Sequence, residues 1–210
     1  PRAFMIGLLK KPLPLRANGT VIIVCARFFP WGLNPFFEMQ VQRNVNTNFD
    51  FDEAITKKIG GLLDGAKYDE AVMQLQSCFT EKYIRSGFDK KTVNAAARIL
   101  YEEKGECRID DLARMCFTTQ RTLQRNFNSE FCVSPKSYAS NVRFDKAKKT
   151  LTHNPFSDLT QLAHDSGYYD QAHFIKEFKA FCGCTPSDFA ESIKRMSSIF
   201  ADSKNVVFLQ

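Results

Sequence analysis

The chain has 210 residues, 44% hydrophobic and 25% charged, which is apolar material for one or two packed domains and too much for a disordered tail. Its net charge of +6 favours a polyanionic partner, but the excess is spread along the chain and decides nothing by itself. No apolar run reaches the roughly 18 residues of a membrane span, and no charged-then-apolar opening marks a secretion signal.

Taken in chain order, Ala3-Phe4-Met5-Ile6-Gly7-Leu8-Leu9 and Thr20 through Phe29 are rich in β-branched and aromatic residues and are separated by Lys11-Pro12-Leu13-Pro14 and Asn18-Gly19, which predicts two strands with turns. Trp31, Phe36 and Phe37 are expected to be core aromatics of this region. The opening Pro1-Arg2-Ala3-Phe4 already lies close to a strand, so upstream sequence is expected. The pattern then turns helical, from about Asp52 to Leu63 closed by Gly65, and from about Asp69 to Arg85. Ser86-Gly87-Phe88-Asp89 is the expected boundary, with Asp89 capping the next helix.

Beyond the boundary the chain repeats itself. Thr119-Gln120-Arg121-Thr122-Leu123-Gln124-Arg125-Asn126-Phe127 lies over Asp170-Gln171-Ala172-His173-Phe174-Ile175-Lys176-Glu177-Phe178, and the same offset carries Ser134-Pro135 onto Thr185-Pro186 and Tyr138 onto Phe189. Each copy is preceded by a shorter helix. The first is opened by the acidic Asp110 and Asp111; the second by Asp158, with Gln161 at capping-box spacing. Ala113 and Ala163 suit close helix crossings, and Gly167 suits a tight turn, so each unit reads as helix, turn, helix. At about 100° per residue, Leu123, Phe127 and Phe131 form an apolar stripe opposite Arg121, Gln124, Arg125 and Asn128. Such a helix packs with one face and fits the DNA major groove with the other, where Arg pairs with guanine and Gln or Asn with adenine.

No Gly-rich phosphate loop, nucleophile elbow or His-Glu-x-x-His is present, so no catalytic residue and no cofactor is assigned. The seven cysteines contain no C-x-x-C pair and the three histidines lack zinc-ligand spacing; reduced thiols in a cytoplasmic protein are expected, and no metal. Only Cys182 and Cys184 are close in sequence.

Gly167-Tyr168-Tyr169-Asp170-Gln171-Ala172-His173-Phe174-Ile175-Lys176-Glu177-Phe178-Lys179, continuing through Phe181, Gly183, Thr185-Pro186 and Phe189, resembles the C-terminal DNA-binding signature of AraC/XylS-type transcriptional regulators. Leu112-Ala113 through Leu123-Gln124-Arg125 and Phe127 to Ser134-Pro135 resemble its first half, and the likeness runs from about residue 88 to 192. It implies two helix-turn-helix units joined by a long helix, here about Pro135 to Leu151, that insert into successive major-groove segments. Phe117 and Cys132 stand where the family commonly has glycine, which predicts strain at a positive φ. Lys176 replaces a usual arginine, while Ala172 and Ile175 replace small polar residues. The segment Arg27 to Phe37 resembles the N-terminal region of one branch of these regulators, which implies effector sensing or dimerisation.

The expected fold class is α+β. Residues 1–86 form a partial sensor or dimerisation region, strands then two helices, and residues 87–210 a mainly α DNA-binding domain with units near 108–131 and 158–182. The expected function is sequence-specific regulation of transcription by a non-enzyme. A DNA-modifying enzyme, or a ligand or metal sensor carrying the same module, stays open as an alternative. Arg121, Gln124, Arg125, Gln171, Ala172 and Ile175 are the candidate base readers. Thr119, Asn128, Lys146, Lys149, His173, Lys176 and Lys179 are the candidate phosphate contacts, Lys146 and Lys149 within a basic linker helix that also carries Lys136, Arg143 and Lys148. Expected partners are double-stranded DNA, RNA polymerase and a small-molecule effector of the first region, without a membrane.

Overall fold

The computed structural model describes residues 21–29, 31, 52–86 and 92–201. Among these the structure is helical: α1 (Glu53–Asp64), α2 (Tyr68–Ser86), α3 (Thr92–Glu102), α4 (Ile109–Met115), α5 (Gln120–Phe131), α6 (Pro135–His153), α7 (Leu159–Asp165), α8 (Gln171–Cys182) and α9 (Pro186–Ala201).

The strand expected over 20–29 does not form over its described part. Its described part, 21–29, has no regular secondary structure, and no strand occurs among the described residues, which are mainly α rather than α+β. β-branched side chains favour a strand when a neighbouring strand takes up the backbone hydrogen bonds and one face is covered. Here Val21, Ile22 and Ile23 are 52%, 46% and 60% exposed. Phe28 instead packs edge-on against Phe79 of α2, with centroids 4.6 Å apart, and Trp31, half-buried, stacks on Phe29. The strand expected over 3–9, Phe36, Phe37 and the Asp89 cap lie outside the described residues.

The helices before the repeat end close to where the sequence places them. The Asp52 carboxylate accepts from the N–H groups of Ala54 and Ile55 at 2.9 and 3.3 Å, and Gly65 is the C-cap of α1. Helix α1 packs on α2, burying Ile59, Ala71 and Cys78.

The described chain packs as two units. One comprises the residues up to 99 together with 109–135; the other comprises 100–108 and 136–201. The first buries Leu112 and Ala113 of α4 and Leu123, Phe127 and Phe131 of α5, the last two rings meeting edge to face at 5.2 Å. The second is built round Ala147, Leu151, Leu162, Ala163, Tyr168, Phe174, Phe178 and Ala190, with Phe144 and Phe189 packed on the Phe178 ring at 5.1 and 5.7 Å.

Each unit therefore holds one copy of the repeat, and the local structure of the copies agrees. Both short helices have 7 residues and both longer ones 12. Thr119 caps α5 through its hydroxyl, which accepts from Thr122 N–H at 3.2 Å; Asp170 caps α8 by accepting from His173 N–H at 2.7 Å. Thr118 N–H donates to Ala113 C=O at 2.9 Å, and Tyr168 N–H to Ala163 C=O at 3.0 Å. That correspondence runs at one residue less than the offset linking Thr119 to Asp170, so Tyr169 is an extra residue in the second turn; it is 90% exposed.

The positions where glycine was expected do take left-handed backbone. Phe117 has φ 50° and Cys132, the C-cap of α5, φ 56°, against 75° at Gly167 and 86° at Gly183 in the other copy. The Phe117 side chain is 99% exposed, so removing it forfeits no packing. Phe117→Gly is expected to stabilise the protein by roughly 0.5–1 kcal/mol, the left-handed penalty of a β-carbon less the added freedom of an unfolded glycine. Urea denaturation checks this, and a loss of stability would show that the aromatic ring is held in place by something it gains.

Candidate nucleic-acid interface

Helix α5 separates its faces as its sequence period requires. Leu123, Phe127 and Phe131 point into the core, while Arg121, Gln124, Arg125 and Asn128 are exposed and engage no other described side chain. Two guanidinium groups, two amides and the partial positive charge of the helix N-terminus thus share one outward face. The Thr119 hydroxyl, at the edge of this face, is committed locally: it accepts from Thr122 N–H and donates to Thr122 Oγ1 at 3.0 Å.

Helix α8 presents a different surface. Gln171, Ala172, His173, Lys176 and Lys179 are exposed, whereas Ile175 is half-buried and packs against the second core beside Phe174 and Phe178. Its β-branched bulk is drawn inward because its neighbours on the helix already line that core. His173 Nε2 lies 3.5 Å from Glu177 Oε1, one helical turn on, and its ring meets Tyr168 edge-on.

The basic linker helix does not expose all of its charge. Lys146 is turned inward, its ammonium donating to Asp165 C=O at the end of α7 and lying 3.6 Å from Glu106 Oε1, so it satisfies an orphan carbonyl of the helix C-terminus. Lys149 is half exposed and pairs with Asp145 at 2.9 Å. Lys136 and Lys148 are exposed. The expected return bond from Gln161 to the Asp158 cap is not the one made: Asp158 accepts from Gln161 N–H at 2.7 Å, but the Gln161 amide reaches forward to Asp165 at 2.8 Å.

Arg143 lies among the lysines of this basic helix, and the fold gives it another task. Its side chain is 14% exposed; Nη1 donates to Gly105 C=O at 2.7 Å, Nη2 to Ser140 Oγ at 3.1 Å, and Nη2 stands 3.5 Å from Glu177 Oε2. Ser140 in turn donates to Glu177 Oε1 at 2.9 Å. The guanidinium also sits 5.3 Å from the centre of the buried Tyr168 ring. Burial and the Glu177 carboxylate push the Tyr168 hydroxyl well above the usual phenol range, opposed in part by Arg143. One guanidinium therefore joins the loop after α3, helix α6 and helix α8. Glu177 faces inward to meet it between the outward Lys176 and the buried Phe178. A single arginine in a basic stretch carries no sequence mark of this role.

Helix α9 is capped reciprocally. The Thr185 hydroxyl accepts from Asp188 N–H at 3.2 Å, and both the hydroxyl and the N–H of Thr185 donate to the Asp188 carboxylate, at 2.7 and 3.2 Å, which hold that carboxyl below its ordinary range. Among the described residues no three His, Cys, Asp or Glu side chains gather as a metal site, and no helix is long and apolar enough to cross a membrane.

Residues 112–192 match a family described as a helix-turn-helix domain. The urease operon transcriptional activator of Escherichia coli is 32% identical over 106 residues, which are 50% of this chain and 35% of that protein. The Msm operon regulatory protein of Streptococcus mutans is 28% identical over 106 residues, 50% of this chain and 38% of that protein. Among solved structures, ToxT from Vibrio cholerae matches with a TM-score of 0.48 at 13% identity, over 69% of this chain and 59% of that one. The chain thus spans little more than a third of the length of these curated relatives. The matched residues take in all but the first turn of the two helix-turn-helix units, whose longer helices are both capped, so residues 112–192 form a helix-turn-helix domain similar to those of these operon regulators.

Proposed function

We propose that this domain is the reading head of a cytoplasmic, non-enzymatic, sequence-specific regulator of transcription, with α5 and α8 entering successive major-groove segments of double-stranded DNA. The observation that carries the proposal is the outward face of α5, where Arg121, Gln124, Arg125 and Asn128 stand exposed and unengaged among the described residues. Bidentate base pairing demands side chains of this type with no competing partner. Residues 1–86 act as a sensor or dimerisation region, residues 87–210 as the DNA-binding domain, and a small-molecule effector and RNA polymerase are the further partners.

In this reading the two helices do unequal work. The readers are Arg121, Gln124 and Arg125 on α5 and Gln171 and Ala172 on α8, with Ile175 limited to whatever edge it keeps outside the core. Asn128, Lys149, His173, Lys176 and Lys179 hold phosphates, and Thr119 places the start of α5 against the backbone. Lys146 is committed to α7 and contributes little. Selection of bound duplexes from a random pool should return one sharply defined half-site and a weaker, thymine-tolerant one. Arg125→Ala is expected to relax the sharp half at one or two base pairs by about 1–3 kcal/mol, whereas Lys176→Ala should weaken all duplexes alike. Two equally sharp halves, or a change of preferred bases larger for Lys176→Ala, would overturn the assignment, and failure to retain any duplex would overturn the function.

A further inference from the structure

Helix α8 ends at Cys182, Gly183 takes the left-handed C-cap with its N–H donating to Lys179 C=O at 2.8 Å, and Cys184 follows. The turn of the chain at Gly183 brings the two sulfurs to 3.7 Å, with the Cys184 thiol directed at Cys182 Sγ. Both residues are half-buried rather than enclosed: Cys182 rests against the second core, close enough to Lys148 to feel its charge. A disulfide needs sulfurs at about 2.05 Å, so closure requires a contraction of under about 2 Å, within reach of side-chain rotation with a glycine between the two.

We propose that Cys182 and Cys184 form a reversible thiol–disulfide site at the C-terminal end of the reading helix, oxidised by small disulfides and reopened by small thiols. The exchange balances in two steps. Cys184 gives up its proton and its sulfur attacks a small disulfide, forming a mixed disulfide and expelling one small thiolate. Cys182 then gives up its proton, its sulfur attacks Cys184 Sγ, the ring closes, and the second small thiolate leaves; the two protons end on the two thiols released. Cys184 leads because burial and the neighbouring thiol push Cys182 upward and keep it protonated. Closing the bond draws Cys182 Sγ off the core surface and pins the last turn of α8, so the site couples thiol redox state to the helix itself.

The test uses the full chain equilibrated with oxidised and reduced glutathione, blocked with an alkylating agent before and after reduction, and mapped by peptide mass. The expected result is that Cys182 and Cys184 become protected together, in one peptide lighter by two hydrogens, and return together on reduction. In Cys182→Ser a glutathione adduct should accumulate on Cys184 instead. Separate alkylation of both thiols at high oxidised glutathione, pairing of either with another cysteine, or a stable adduct on wild-type Cys184 would overturn the proposal. These readouts are independent of DNA binding, so the proposal stands or falls apart from the assigned function.

Discussion

Gly105→Ala is expected to be among the most disruptive single substitutions in the molecule. Gly105 has φ +77°, and a β-carbon there would lie 2.4 Å from Ala139 C=O and 3.0 Å from Arg143 Cγ. The first obstacle is backbone of α6, which cannot swing aside as a side chain can. Left-handed strain of about 1–2 kcal/mol and overpacking of about 1–3 kcal/mol add to a loss of roughly 2–5 kcal/mol. Gly105 C=O also accepts from Arg143, so displacement of the loop breaks that bond too. Gly167→Ala is the control. Its φ is +75°, but the added carbon would meet Glu106 Cγ at 2.6 Å and Cδ at 3.1 Å, atoms of a half-exposed side chain able to yield, before Arg143 Cδ at 3.2 Å. Its cost should be smaller, roughly 1–2 kcal/mol. Urea unfolding of the two variants ranks them, and the reverse order would show that the α6 backbone gives way more easily than its hydrogen-bonded helix suggests.

Arg143→Ala should cost about 3 kcal/mol, the scale of a buried ion pair that loses one partner, moderated by the 22% exposure left to the Glu177 side chain. The substitution deprives Gly105 C=O of its donor and leaves the Glu177 carboxylate with Ser140 and His173. Arg143→Lys should recover only part of the loss, because one ammonium cannot span Gly105, Ser140 and Glu177 with a planar fork. A double-mutant cycle with Glu177→Gln isolates the pair, and a coupling of at least about 0.5 kcal/mol is expected. Additive losses would mean that Arg143 acts through Gly105 and packing alone. In a duplex-binding assay the Arg143→Ala protein that remains folded should keep the salt dependence of the wild type, since the guanidinium faces inward rather than toward phosphate.

The lesson of Lys146 and Arg143 is one of direction. A count of charges along α6 finds a basic helix, and the helical period assigns faces, but the same period cannot say which neighbouring element has an orphan carbonyl to satisfy. Asp165 C=O at the end of α7 and Gly105 C=O after α3 are such groups, and both are reached by residues distant in sequence. Ile175 shows the same limit: the helical period places it beside Phe174 and Phe178, and only the packing of the second core decides how much of it stays half-buried.

What the residues determined by themselves is local. Caps at Thr119, Asp158 and Asp170, a left-handed turn at Gly167, the strain at Phe117 and Cys132, and the stripe of Leu123, Phe127 and Phe131 are written within a few residues of one another, because helix ends and helix faces depend on near neighbours. Tertiary structure decided the rest. It left 21–29 without a strand, because pairing needs a distant partner, and it turned Arg143, Lys146 and Glu177 inward and required Gly105 to lack a β-carbon. It also brought the sulfurs of Cys182 and Cys184 to 3.7 Å, where sequence spacing alone had suggested only two nearby thiols.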